Sequence, residues 1–328
     1  MKKFILFAAL AICSLTFSQT IRYVDNNEGA PNNPPHNYTS LQAAIDASAS
    51  GDIIYVQPSP NNYGNISMKK PLTIYGPGHS PELAPVYANV EYINFNQGNS
   101  SGSKISGLRV VYVDLQNTTY ENHDVIFTNN RIFVVLGNSQ TSKANNAFFA
   151  GNVFVGGGSG EIQPYNSQNW VFTNNIIEQS SIGSNSSVFS LANSSTIVNN
   201  NIILTRQNGD TNGQIRFFAN CSSTQFKNNI FIFTGNNVTD FTTLGSNTGL
   251  DFQNNLTYSV TSNLDPLSGS NNINDTDPQF VSFNPSVSVL NTANDFHFQG
   301  GSPGINAGSD GNDLGVYNGN FPFNMRGY

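Results

Sequence analysis

Four short segments in the middle of the chain place a polar residue directly after an apolar one: Ile162-Gln163, Phe189-Ser190, Ile215-Arg216 and Phe241-Thr242. With the apolar members inward on neighbouring strands, Gln163, Ser190, Arg216 and Thr242 stand side by side on the outer face. Tyr165 and Phe218 flank them two positions on, Glu161 precedes the first segment and Arg206 the third. Aromatics beside Arg and Gln suit a sugar-binding groove, with Gln163, Arg206 and Phe218 as candidate contacts. If the face is catalytic, its chemistry is β-elimination. Removing the proton next to a uronate carboxylate needs a base, and a cation or donor to quench the developing charge. Arg216 is the candidate for that neutraliser or base, with Glu161 or Tyr165 assisting. The competing reading is an ordinary solvated face with a snorkelling arginine.

Other chemistries find less support. Inverting hydrolysis needs two facing carboxyls, and Glu161, Glu178, Asp210, Asp240 and Asp251 give no repeat-aligned pair. Asp310 and Asp313 fall near the C-terminal end, where turn roles suit them better than a calcium site. No cofactor is evident, and calcium has no ligand cluster behind it. His36, His79, His123 and His297 lack metal spacing. Cys221 has no His at motif spacing and reads as a half-buried, inert thiol. Arg109 and Arg131 align just after a turn. An anionic partner would relieve two stacked like charges; splayed, solvated side chains are the alternative.

The elements that position these residues announce themselves by repetition. Apolar segments end on Asn at Asn130, Asn152, Asn175, Asn201, Asn229 and Asn255, in steps of 22, 23, 26, 28 and 26 residues. That period marks a solenoid. Between Asn152 and Asn175 the chemistry reads as three short strands with two turns, and the next two repeats match it. The expected fold is all-β: a right-handed parallel β-helix with three strands per coil. Coils stack about 4.8 Å apart, so an Asn at the same turn of each can bond those above and below as a ladder. Asn also tolerates the left-handed backbone of such turns.

The 328 residues begin with Lys2-Lys3 and an apolar run from Phe4 to Leu15. This reads as a secretory signal over 1–18, too short for a retained anchor. The rest, 19–328, is expected to be one β-helix domain, with a cap region at 19–60 and a closing segment at 274–328. Around Tyr38–Ala47 a helix is expected, capped by Thr39 or Ser40, with Leu41, Ala44 and Ile45 on its apolar face. It would cover the first coil. Loss of Lys2 and Lys3 leaves 11 basic against 20 acidic residues, a formal −9. That argues against a nucleic-acid or anionic-lipid partner, and against an acidic polymer bound without a cation bridge. Only Cys221 survives processing, so stability must come from the core. Asn occurs 51 times, but interleaved aromatic and β-branched residues argue for packed β structure over disorder.

Two segments carry a resemblance. Thr39-Ser-Leu-Gln-Ala-Ala-Ile-Asp-Ala47, Gly51-Asp-Ile-Ile-Tyr-Val56 and Lys70-Pro-Leu-Thr-Ile-Tyr-Gly76 look like the entry of pectin-lyase-like right-handed β-helix proteins. Asp277-Pro-Gln-Phe-Val281, Asp295-Phe-His-Phe-Gln299, Ser302-Pro-Gly-Ile-Asn-Ala-Gly308 and Asp313-Leu-Gly-Val-Tyr317 resemble the closing segment of secreted Bacteroidetes β-helix repeat proteins. The signal at 1–18 implies a secreted or cell-surface location, and no later segment is long and apolar enough to be expected in a membrane. The superfamily of that resemblance mixes lyases, hydrolases, epimerases and adhesins. The expected function is engagement of an extracellular polysaccharide or cell-surface glycan, as a lyase or as a non-catalytic binding, adhesive or structural solenoid.

Overall fold

The computed structural model describes residues 19–324, except 80–85, 117–118, 121, 138–143, 157–161, 180–187, 206–214, 220, 222, 235–241, 244–250, 261–265 and 292. For 215–219 and 242–243 it describes the backbone alone. The segment 1–18, expected to be a signal, and Glu161, Arg206, Asp210, Asp240 and Phe241 lie outside the described residues.

Stacked parallel strands form a β-solenoid. One parallel sheet runs through Ile21–Val24, Ile53–Val56, Thr73–Tyr75, Lys104–Ser106, Ile126–Thr128, Phe148–Ala150, Trp170–Thr173, Thr196–Asn199, Gln225–Lys227 and Asp251–Gln253, with Asn37–Tyr38 at its edge. Alternation decides its faces. Ile54, Ile74, Ile105, Phe127, Phe149, Phe172, Val198, Phe226 and Phe252 share one register position and are all buried. Within this column Phe149 and Phe172 stack at 4.6 Å, and Phe226 and Phe252 at 5.0 Å. Ring spacing thus follows coil spacing.

The second sheet changes character along the axis. Asn89–Asn94, Arg109–Asp114 and Arg131–Leu136 are single six-residue strands. Arg131 and Ile132 pair with Val153 and Phe154, whereas Val135 and Leu136 pair with Ile162 and Gln163. From there each coil contributes two strands where earlier coils have one: Val153–Gly156 then Ile162–Gln163, Ile176–Gln179 then Phe189–Ala192, and Ile202–Thr205 then Ile215–Ala219. The three-strand coil is therefore a property of the chain from about Phe148 onward.

At the N-terminal end the inner column ends on Arg22, in register with Ile54. A charge there must be paired. Asp52 supplies the carboxylate, and Arg22 Nη2 donates to the Ala47 carbonyl at 3.0 Å. Ala47 ends the helix Leu41–Ala47, whose N-cap is Ser40; its Oγ accepts from the Ala43 amide at 3.3 Å. Leu41, Ala44 and Ile45 are buried, so the helix covers the first coil.

The C-terminal segment does not merely close the far end. It runs back along the flank as a strap, beginning with an antiparallel pair, Phe280–Ser282 and Asp295–Phe298. The outward positions Val153, Ile176, Ile202, Ile230 and Leu256 form a second core with Phe280, Val289, Leu290, Phe296, Leu314 and Val316. Each such aliphatic side chain contributes about 1.5–3 kcal/mol on burial. No helix among the described residues is long and apolar enough to cross a membrane.

Candidate functional site

The six ladder asparagines are fully buried. Asn152 Nδ2 donates to Asn175 Oδ1 at 3.1 Å and to the Phe127 carbonyl at 2.9 Å. Its backbone N–H also donates to Asn175 Oδ1, at 2.9 Å. The same bonds join Asn130 to Asn152, Asn175 to Asn201, Asn201 to Asn229 and Asn229 to Asn255, and Asn272 continues the line. With each amide group spent on the neighbouring coils, the ladder has no donor left for a ligand.

The residue before each ladder Asn has another task. Asn129, Asn174, Asn200, Asn228 and Asn254 all have φ between 53° and 57°, and Gly151 takes 64° at the equivalent place. Three of their side chains hold the strap. Asn254 Nδ2 donates to the Ala307 carbonyl at 2.9 Å, Asn228 Oδ1 accepts from the Ser309 amide at 2.8 Å, and Asn174 Nδ2 donates to the Val316 carbonyl at 2.8 Å.

The face expected to do chemistry is only partly assembled. Ile162 pairs with Phe189 and Ser190 with Arg216, as the sequence predicts. Arg216 then pairs with Thr243, not Thr242. Phe189 is buried, and so is Ser190, leaving Gln163 half-buried beside it. A bulge after Leu191 sets Ala192 against Ala219, while Tyr165 bridges to Ala192. Phe218 is thereby out of step with Tyr165. The side chains of Arg216 and Phe218 lie outside the described residues.

Elsewhere the candidate acids are occupied. Glu178 is buried under the strap and accepts from Ser288 Oγ at 2.8 Å and the Val289 amide at 3.2 Å. Asp251 pairs with Lys227 at 3.3 Å. Asp310 bonds Asn312, which holds its carboxyl below the usual range, and Asp313 accepts from the Asn306 amide, so both serve turns. Cys221 is fully buried, not half-buried, with Ser194 Oγ at 4.0 Å. Among the described residues, no three His, Cys, Asp or Glu side chains gather as they would around a metal ion.

The group that does converge is built on Arg109 and Arg131. They open two neighbouring strands and pair directly in register. The side chains are not splayed into solvent. Both guanidinium groups lie against Tyr87 and Phe133: Arg109 at 6.0 and 5.0 Å from the two ring centroids, Arg131 at 5.8 and 5.7 Å. Arg109 Nη1 donates to Asn89 Oδ1 at 2.9 Å and Arg131 Nη1 to the Tyr87 hydroxyl at 3.4 Å. Neither makes an ion pair among the described residues, and Arg131 Nε is buried without a partner. Burial and the neighbouring Arg131 charge push the Arg109 pKa downward, against a weaker pull from Tyr87 and Glu91. Two cations held close by aromatic faces and short of counter-charge form a ready anion site.

Sequence spacing located this arginine pair but not its aromatic supports, which come from a loop residue and from the strand position two after Arg131. It also missed a stack of tyrosines on the outer face of the first sheet. Tyr23 and Tyr55 stack at 5.8 Å, and Tyr55 and Tyr75 at 5.4 Å. The signal was present in Tyr23-Val24, Tyr55-Val56 and Tyr75-Gly76, each a tyrosine closing an alternating strand.

No protein-family model and no curated protein matches the chain. Among solved structures, it is similar to the crystal structure of pectate lyase Pel9A, with a TM-score of 0.48 and 16% identity. That match covers 93% of this chain and 98% of the other. The likeness concerns the β-helix alone.

Proposed function

We propose that this chain is an exported glycan-binding solenoid, of the kind the secreted Bacteroidetes repeat proteins represent, that holds an acidic polysaccharide against the Arg109–Arg131 flank. The observation that carries this reading is the register-paired arginines, backed by Tyr87 and Phe133 and lacking a carboxylate partner among the described residues. A sugar carboxylate or sulfate accepts from guanidinium in bidentate fashion, while the ring's apolar face meets an aromatic side chain. Binding without bond cleavage is the favoured form, because the candidate acids among the described residues, Glu178, Asp251, Asp310 and Asp313, are committed to the strap, to Lys227 or to turns. β-Elimination at Arg216, with Glu161 or Tyr165, remains the catalytic counterpart of the proposal.

Both are tested in one titration. Mature protein is mixed with polygalacturonate, alginate, a sulfated glycosaminoglycan and neutral xylan, followed by calorimetry and by the ultraviolet absorbance of an unsaturated uronate. Binding to acidic polymers that falls at least tenfold in the Arg109→Ala/Arg131→Ala double variant, with flat absorbance, supports the binding reading. Rising absorbance that Arg216→Ala abolishes replaces it with a lyase. Affinity unchanged in the double variant removes the flank from the proposal.

A further inference from the structure

The tyrosine stack stops abruptly. Along its column, Tyr23, Tyr55 and Tyr75 are followed by Ser106, Thr128 and Ala150. Tyr75 has a ring partner on one side only, at 5.4 Å, and its other side looks along the axis over Ser106. The adjoining outward column brings Lys104 and Ile126 to the same floor. Phe148 ends the floor, because the strap's Phe321 packs edge-on against it at 5.1 Å. Beyond Ser106, from the next coil on, a crevice of about 300 Å³ opens between Thr128, Asn129 and Ala150 on the solenoid and Phe321 and Pro322 on the strap.

We propose that the recess over Ser106, between Tyr75 and this crevice, is a sugar subsite, in which a pyranose ring stacks on the free side of Tyr75 as the next member of the column. This rests on the glycan-binding reading and adds a second contact point to it. The middle ring of the stack exposes only its edges, so only the two end tyrosines have a face to offer, and that of Tyr23 looks toward Asn37 of the edge strand, leaving Tyr75 over the small Ser106. The negative face of that ring attracts the C–H groups of a sugar. One coil step further along, a ring-shaped ligand lies over Ser106, the small residue that leaves room for it. The rim is polar as a sugar requires: the Ser106 and Thr128 hydroxyls, and Lys104, which makes no ion pair among the described residues. Asn129 adds an amide. It is equivalent to the strap-binding Asn174, Asn228 and Asn254, but its own side chain makes no hydrogen bond among the described residues. A few polar groups around an apolar floor is the usual anatomy of a small-ligand site.

The test uses full-length mature protein and a panel of hexasaccharides (galacturonate, cellulose and xylan oligomers), with calorimetry and circular dichroism. Ser106→Tyr fills the recess with a fourth stacked ring at a half-exposed position, without altering charge. Tyr75→Ala removes the platform, and Tyr75→Phe keeps it. The expected result is a loss of affinity of at least tenfold in Ser106→Tyr and Tyr75→Ala, with Tyr75→Phe close to the parent. If Ser106→Tyr binds like the parent while the Arg109/Arg131 double variant does not, the subsite is overturned and the arginine site stands. If the parent binds none of the panel, the glycan-binding reading itself falls.

Discussion

Asn174 Nδ2 donates to the backbone carbonyls of Val316 and Asn318, across 142 and 144 residues of chain. Asn174 has left-handed backbone at a turn, and its outward amide serves as a peg for the strap. The strap in turn covers the aliphatic outer column that includes Val153, Ile176, Ile202 and Ile230. Truncation after Thr276 should therefore leave a folded core with a wide apolar face, which associates. Sedimentation velocity should show monomers for the full chain and concentration-dependent oligomers for the truncation. A monomeric, equally stable truncation would mean that the strap is dispensable.

The ladder predicts a different cost. Asn175→Ala removes the Oδ1 that accepts from both the backbone and side chain of Asn152, and the Nδ2 that donates to the Phe149 carbonyl. All lie in the core, so each group left unpaired costs about 1–3 kcal/mol. The midpoint of urea unfolding should drop by the equivalent of roughly 3–5 kcal/mol. The same substitution at Asn129, whose side chain makes no hydrogen bond among the described residues, should cost less, arising from its φ of 53°. Equal effects at the two positions would contradict the division of labour within the Asn pairs.

Much of this architecture was legible in the sequence because it repeats. Regular spacing of Asn pairs exposed the ladder, and alternation in segments such as Ile53–Val56 gave the inner column. What resisted was non-repeating. Val153-Phe-Val, Ile202-Ile-Leu and Ile230-Phe-Ile-Phe do not alternate, which is the mark of strands buried on both faces. Their cover lies some 60 to 160 residues away in the strap, and nothing local signals that pairing. The arginine pair was visible as register, but Tyr87 comes from a loop that no period predicts. Phe218 was misaligned because spacing carries no trace of the bulge after Leu191. Thr242 was placed one residue off, since it pairs with Ile215 and not with Arg216.

His79 ties the strap's end to pH. It is fully buried and stacked on Phe323 at 5.4 Å, and burial, aided by the Arg131 charge, lowers its pKa to about 4. The unfolded chain, with an ordinary imidazole near 6.5, binds the proton more readily. Its contribution is thus complete above about pH 6.5 and is lost as pH falls toward 4, amounting to about 3 kcal/mol at most. Urea unfolding from pH 7.5 to 4.5 should show this decline. His79→Phe, which retains the stack, should flatten the part of it that lies above the carboxylate range. An unchanged slope would place the acid sensitivity elsewhere.

Removing one charge from the Arg109–Arg131 pair should leave the free protein nearly unchanged but weaken its response to anions. Like charges directly opposite on neighbouring strands cost about 0.2–1 kcal/mol, and the aromatic contacts return a similar amount. Arg131→Gln should therefore leave the stability of the free protein within about 1 kcal/mol of the parent. Anions that occupy the pair stabilise only the folded state, in proportion to their occupancy. Sulfate also raises the stability of any protein by exclusion from its surface, so the comparison must be between proteins as well as between salts. Thermal unfolding in sodium sulfate and sodium chloride at matched ionic strength should show an extra sulfate-dependent rise in Tm for the parent. Arg131→Gln should retain only the general part of that rise. An identical sulfate response in both proteins would show that the guanidinium pair does not bind the anion, and would remove the main physical argument for an acidic ligand.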